Sequence, residues 1–122
     1  MAYDDDNIFA KILRGEIPNA TVFEDESVLA FNDIAPKTPV HVLVIPKRPY
    51  IDMDDFSANG TAEEIGNFFK KIGDIARNLG LDESGYRVVS NNGSNAGQLV
   101  PHFHVHIMGG QNIKEGSMAS GM

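Results

Sequence analysis

The stretch 101-PHFHVHIM-108 sets three histidines at alternate positions between apolar residues. In an extended chain successive side chains point to opposite faces. His102, His104 and His106 therefore share one face, and Phe103, Val105 and Ile107 the other. The apolar face is suited to burial. The imidazole face is suited to chemistry, because each ring buried for packing alone would need its own hydrogen-bond partner. The one further histidine, His41, opens another strand-like run, 41-HVLVIP-46.

The whole chain frames this motif. Its 122 residues predict a single domain over 1–122, able to bury roughly two-thirds of its unfolded surface. The ordered core is expected over about 7–110, with 111–122 as a mobile C-terminal tail of small and polar residues. The sequence contains no cysteine, which excludes disulfides and thiolate metal sites and is compatible with a reducing cytoplasm. The acidic start MAYDDDNIF is unlike a signal peptide, and no apolar run approaches the roughly 20 residues that span a bilayer. A soluble, cytoplasmic protein is the expectation. The formal charge of −7 opposes non-specific binding to nucleic acid or anionic membrane, so neither is an expected partner. A small phosphorylated ligand remains compatible with that charge.

Ile8, Phe9, Ile12 and Leu13 form a short helical stripe, with Asp5 or Asp6 as the expected cap and Gly15 at the end. Core packing is the expected role of that stripe. Thr21–Glu24 and Val28–Asn32 are predicted as a hairpin around Asp25–Ser27. The two prolines of 33-DIAPKTP-39 make that segment a loop leading into a third strand, Val40–Ile45. Pro46–Gly60 carries mixed turn signals and room for one short helical turn. Thr61 and Glu64 have capping-box spacing, and Ile65, Phe68, Phe69, Ile72, Ile75, Ala76 and Leu79 follow with helical period up to Gly80. Tyr86–Ser90 is the fourth predicted strand and His102–Met108 the fifth. Together these segments predict an α+β fold, a five-stranded antiparallel sheet with one long and one short helix.

Between the last two strands, 90-SNNGSNAGQLVP-101 is rich in Gly and Asn and can turn several amides toward one point as an anion nest. Three chemistries fit the histidine face. Three imidazoles and a water can bind zinc, although alternate strand positions place the outer two about 13 Å apart at their origins. One imidazole can attack phosphorus while others donate to the phosphoryl oxygens. The rings can also be structural. Spacing alone leaves all three open.

The segment GQLVPHFHVHIMGG resembles the signature of the histidine triad (HIT) family of nucleotide hydrolases and transferases. NIFAKILRGEIP, VFEDESVLAFNDIAPKTPVHVLVIPKR and GYRVVSNNGS are similar, in the same order, to its histidine triad nucleotide-binding (Hint) branch. The resemblance implies a HIT-like fold and assigns His104 as a nucleophile that forms a nucleotidyl-histidine. It makes His106 a phosphate-contacting partner, with His102 and His41 supporting. It places Phe31, Asp33 and Ile34 at the nucleoside pocket, Asp33 on the ribose hydroxyls, where a carboxylate can accept from both. Asn91, Gly97, Gln98 and Leu99 match positions near the phosphate.

The implied activity is that of a purine nucleotide hydrolase acting on phosphoramidates or adenylyl conjugates, releasing AMP or GMP without a metal or other cofactor. A dinucleoside polyphosphate hydrolase and a non-catalytic nucleotide-binding regulator are the alternatives. The resemblance also implies a homodimer. Two positions depart from the branch: Leu99 stands where a serine is common, and the tail NIKEGSMASGM lacks the usual tryptophan and prolines.

Overall fold

The computed structural model describes residues 2–117. Five antiparallel strands, β1 (Thr21–Glu24), β2 (Val28–Asn32), β3 (Val40–Pro46), β4 (Arg87–Val89) and β5 (Val105–Gly109), form one sheet in the order β1-β2-β3-β5-β4. Three α-helices, α1 (Ile8–Leu13), α2 (Met53–Asn59) and α3 (Ala62–Asn78), accompany it. The α+β class and the five-stranded antiparallel sheet agree with the sequence expectation. The structure adds a second short helix, α2, where a single turn was expected.

Both faces of the central strands are covered, which explains why β2 and β3 read as nearly continuous apolar runs. Val28, Ala30, Val42, Val44, Val105 and Ile107 pack beneath Phe56 of α2 and Phe68, Ile72 and Ile75 of α3. Leu29, Phe31, Leu43 and Ile45 form a smaller core with Phe9 and Ile12 of α1 on the other face. The histidines lie on this second face. Phe69, counted in the helical stripe, is about half exposed and only flanks the core through its edge contact with Phe68.

Local chemistry explains the element ends. Thr61 and Glu64 form the expected capping box at the start of α3, satisfying two otherwise orphan amides. Asp25 accepts from the amides of Ser27 and Val28 at 2.8 Å each, closing the β1–β2 turn. The cap of α1 differs from expectation: it is Asn7, whose Oδ1 accepts from Ala10 N–H at 2.9 Å while its Nδ2 donates to Asp4 O at 2.7 Å. Asn7 is buried, so it can serve the helix and the incoming chain at once. Asn7→Ala should cost about 1–2 kcal/mol, measurable by urea unfolding.

The fifth strand is shorter than predicted. Its pairing with β3 begins at Val44↔Val105, because Phe103 N–H turns away to Tyr50 O at 2.7 Å and Pro46 has no N–H to offer. The alternation nevertheless persists through His102–His104: Phe103, Val105 and Ile107 all lie in the main core. Of the expected C-terminal tail, residues 111–117 are described. Arg87 ties them back, donating to Lys114 O at 2.9 Å and Ser117 O at 2.7 Å. Residues 118–122 of that tail lie outside the described residues.

Candidate functional site

Four imidazoles converge on the α1 side of the sheet, and all four are buried. Strand register brings two of them together. His41 pairs with Met108 and Leu43 with His106, so His41 and His106 are diagonal neighbours on one face, a separation long side chains can bridge. Their Nε2 and Nδ1 atoms lie 2.9 Å apart.

The partners of each ring determine its tautomer, since a neutral imidazole has one N–H and one lone pair. Lys37 N–H donates to His41 Nδ1 at 3.0 Å, which leaves the His41 proton on Nε2 and directs it to His106 Nδ1. His106 therefore carries its proton on Nε2. That atom is, among the described residues, the buried side-chain nitrogen or oxygen without a partner. His104 Nδ1 lies 2.7 Å from His102 O, an acceptor, so Nδ1 is protonated and Nε2 holds a free lone pair. His102 Nε2–H donates to Pro46 O at 2.8 Å.

Burial governs the protonation of the group. Desolvation lowers His102 and His106 to about 4, and neighbouring imidazoles add to the effect at both. His104 is also lowered by desolvation, opposed by its bond to the His102 carbonyl and by the charge of Asp33. His41 is lowered by burial against the same carboxylate. Near neutral pH the rings are held uncharged, the form in which imidazole has a nucleophilic lone pair.

His104 and His106 line a cleft of ≈ 340 Å³. Its apolar wall includes Phe31 and Leu43 from the sheet and Ile8, Phe9 and Ile12 from α1. Phe9 meets both Phe31 and His104 edge to face, with centroids 5.5 and 5.0 Å apart. The α1 stripe expected as core thus has two roles, packing against the sheet and forming a cleft wall. Asp33 lies at the edge. Its Oδ1 accepts from Ala35 N–H at 2.9 Å, and its Oδ2 is 3.4 Å from His41 Nε2. Ile34 is 98% exposed and Leu99 72%, and both line the opening.

The remaining predicted positions lie in the loop between β4 and β5. Gln98 acts as a strut: Oε1 accepts from Gly93 N–H at 2.7 Å, and Nε2 donates to Ile51 O at 2.8 Å and Val100 O at 3.0 Å. Gly97, at φ 79, ends the 3₁₀ turn Ser94–Ala96 in a left-handed conformation that glycine adopts without strain. Asn91 is half-buried in the same loop. Asn91, Gly97 and Gln98 are not part of the cleft lining. Val100 and Leu43 do line it and carried no sequence signal beyond hydrophobicity.

The HIT domain profile matches residues 14–113. The chain belongs to the HIT domain family. An uncharacterised 13.2 kDa HIT-like protein of Azospirillum brasilense is 53% identical over 111 residues, covering 91% of each chain. A HIT family hydrolase from Legionella pneumophila superposes with a TM-score of 0.85 at 40% identity, covering 91% of this chain and 98% of that one. A histidine triad protein from Clostridium difficile gives a TM-score of 0.81 at 40% identity, with coverages of 93% and 97%. The two solved structures share the overall fold of this chain.

A metal is disfavoured at the one ligand-like cluster among the described residues, Asp33, His41 and His106. To ligate through Nε2, His41 would have to move its proton to Nδ1, where Lys37 N–H already donates. Its Nε2 is engaged with His106 at hydrogen-bond distance instead. The donor set is therefore organised as a chain of hydrogen bonds rather than a set of converging lone pairs. No helix among the described residues is long and apolar enough to cross a membrane.

Proposed function

We propose that this HIT protein hydrolyses purine nucleoside 5′-monophosphate conjugates through a nucleotidyl-histidine on His104. The observation that carries the reading is the Nε2 of His104, a ring in the cleft wall, which has no hydrogen-bond partner among the described residues while Nδ1–H is held by His102 O. Attack forms a bond from Nε2 to the α-phosphorus and breaks the bond to the leaving group, which takes a proton from solvent at the open cleft as it departs. Charge left on the imidazole ring is compensated through Nδ1–H by the His102 carbonyl. Water then displaces the histidine and gives up a proton to solvent, releasing AMP or GMP and restoring the lone pair; two displacements replace one difficult step. His106 Nε2–H, which has no partner among the described residues, supplies a donor to a phosphoryl oxygen as charge develops.

The nucleoside would occupy the apolar slot between α1 and the sheet, its base against Ile34, Phe31, Ile8 and Ile12 and its ribose at Asp33. Gly97, Gln98 and Asn91 would shape the phosphate loop, and Leu99 would face the leaving group. Description of the Legionella pneumophila protein as a hydrolase supports the reaction class. The homodimer belongs to this proposal as well: β4 is a sheet edge with Val88 partly exposed, and sedimentation would measure the assembly.

The test is a panel of adenylated and guanylated compounds, phosphoramidates, acyl-adenylates and dinucleoside polyphosphates, with acid quench to trap the nucleotidyl-histidine. Release of AMP from a phosphoramidate, unchanged after dialysis against a chelator, is expected. AMP binding by calorimetry with no turnover across the panel would overturn the enzymatic reading in favour of a nucleotide-binding regulator. Loss of activity on chelation would overturn the metal-free mechanism.

A further inference from the structure

The histidine row is fastened from behind by a residue near the start of the chain. Tyr3 Oη lies 2.6 Å from His102 Nδ1, with the phenol ring edge-on to the imidazole at 5.6 Å and 73°. His102 is wholly buried, and its Nε2–H is committed to Pro46 O. Nδ1 is consequently a buried acceptor, and the phenolic O–H is the donor that satisfies it. Without that donor the lone pair would carry the full cost of desolvation.

The segment bearing Tyr3 is itself held to α1. Asn7 donates to Asp4 O through both its backbone N–H, at 3.2 Å, and its Nδ2, at 2.7 Å. Arg14 Nη1 donates to Asp5 O at 2.8 Å. Tyr3 is thus presented to His102 by a folded strap and lies outside the cleft lining.

We propose that Tyr3 is a positioning residue for His104. Its hydroxyl holds the His102 ring between two hydrogen bonds, and the main-chain carbonyl of that same residue keeps the His104 proton on Nδ1, leaving Nε2 free to attack. Loosening His102 moves this carbonyl and lets the His104 proton redistribute between its two nitrogens. The proposal rests on the nucleophilic reading of His104. It differs from simple structural support because Tyr3 touches neither the cleft nor the substrate and acts on the tautomer of another residue.

Tyr3→Phe keeps the ring and removes only the oxygen. With adenosine phosphoramidate, kcat should fall about 10-fold, less than the ~100-fold that a 1 Å misplacement can cost, while KM stays within about twofold because the cleft wall is untouched. In ¹⁵N spectra of the full-length protein, the two His104 ring nitrogens should move toward each other as the tautomers mix. A kcat within twofold of wild type, or an unmoved pair of His104 resonances in the folded variant, overturns the proposal. Absence of turnover in the wild-type protein would defeat the enzymatic reading instead, and the His104 resonances would then decide the role of Tyr3 by themselves.

Discussion

Replacement of His104 by alanine should abolish turnover of an adenosine phosphoramidate, lowering kcat by at least about 10⁴-fold, the scale on which removal of a nucleophile operates. The expectation follows from the tautomers. His104 Nε2 is the ring nitrogen in the cleft wall with a free lone pair, whereas His106 offers the cleft a protonated Nε2 and both nitrogens of His102 are engaged. No neighbour can substitute. Nucleotide affinity should stay within a few-fold of wild type, because Ile8, Ile12, Phe31 and Leu43 still wall the slot when the ring is removed. The fold should survive with a loss of about 1–3 kcal/mol for the unpaired His102 carbonyl and the vacated space. Stopped assays with AMP titration on the same sample separate these effects. Full activity in the variant would remove the nucleophilic assignment.

Acidification should destabilise the protein well before its carboxylates protonate. The folded state holds His102 and His106 neutral down to about pH 4, while the same side chains in the unfolded chain take up protons near 6.5. Between those values the unfolded state binds more protons, so unfolding free energy rises with pH. Stability is therefore fully present above about pH 6.5 and is lost as pH falls toward 4, by about 3 kcal/mol for each of these two rings. His41 and His104 act in the same direction. Asp25 and Glu64, both lowered by hydrogen bonds and nearby cations, lose their contributions only below about pH 4.5. Urea unfolding at pH 7.5, 6 and 5 should show a falling midpoint at constant slope. A midpoint unchanged over that range would contradict the burial of neutral imidazoles.

Much of the fold is legible where local chemistry is strong. The β1 and β2 bounds, the Asp25 turn and the Thr61–Glu64 capping box all rest on interactions within a few residues. Helix α2 reads as no more than a turn in the sequence because Phe56 is its one buried side chain, too little to make a periodic stripe. At α1 the acidic run offers Asp5 or Asp6 as the cap, but the side chain that reaches both Ala10 N–H and Asp4 O is that of Asn7.

The site divides in the same way. Its histidines stand out because their period of two matches a strand, and the FNDI segment stands out through its resemblance to a nucleoside wall. Tyr3 could not be found, since 99 residues separate it from His102 and no local pattern marks a donor for a ring that far along the chain. Nor could α1 be read as a cleft wall: an apolar stripe is the same whether it covers a sheet or borders a cleft. The loop between β4 and β5 shows the reverse case. Its Gly and Asn content signalled an unusual backbone, yet only the assembled structure reveals that Gln98 braces the loop against Ile51.

What the amino-acid order determined by itself is that His102, His104 and His106 must lie opposite Phe103, Val105 and Ile107, because side-chain alternation is a property of the extended backbone. Which nitrogens of His102 and His106 carry a proton was decided by tertiary structure. Lys37 N–H, Pro46 O, Tyr3 Oη and the His41–His106 diagonal are set by strand register, loop closure and the α1 strap, and a neutral imidazole adopts the tautomer its partners require.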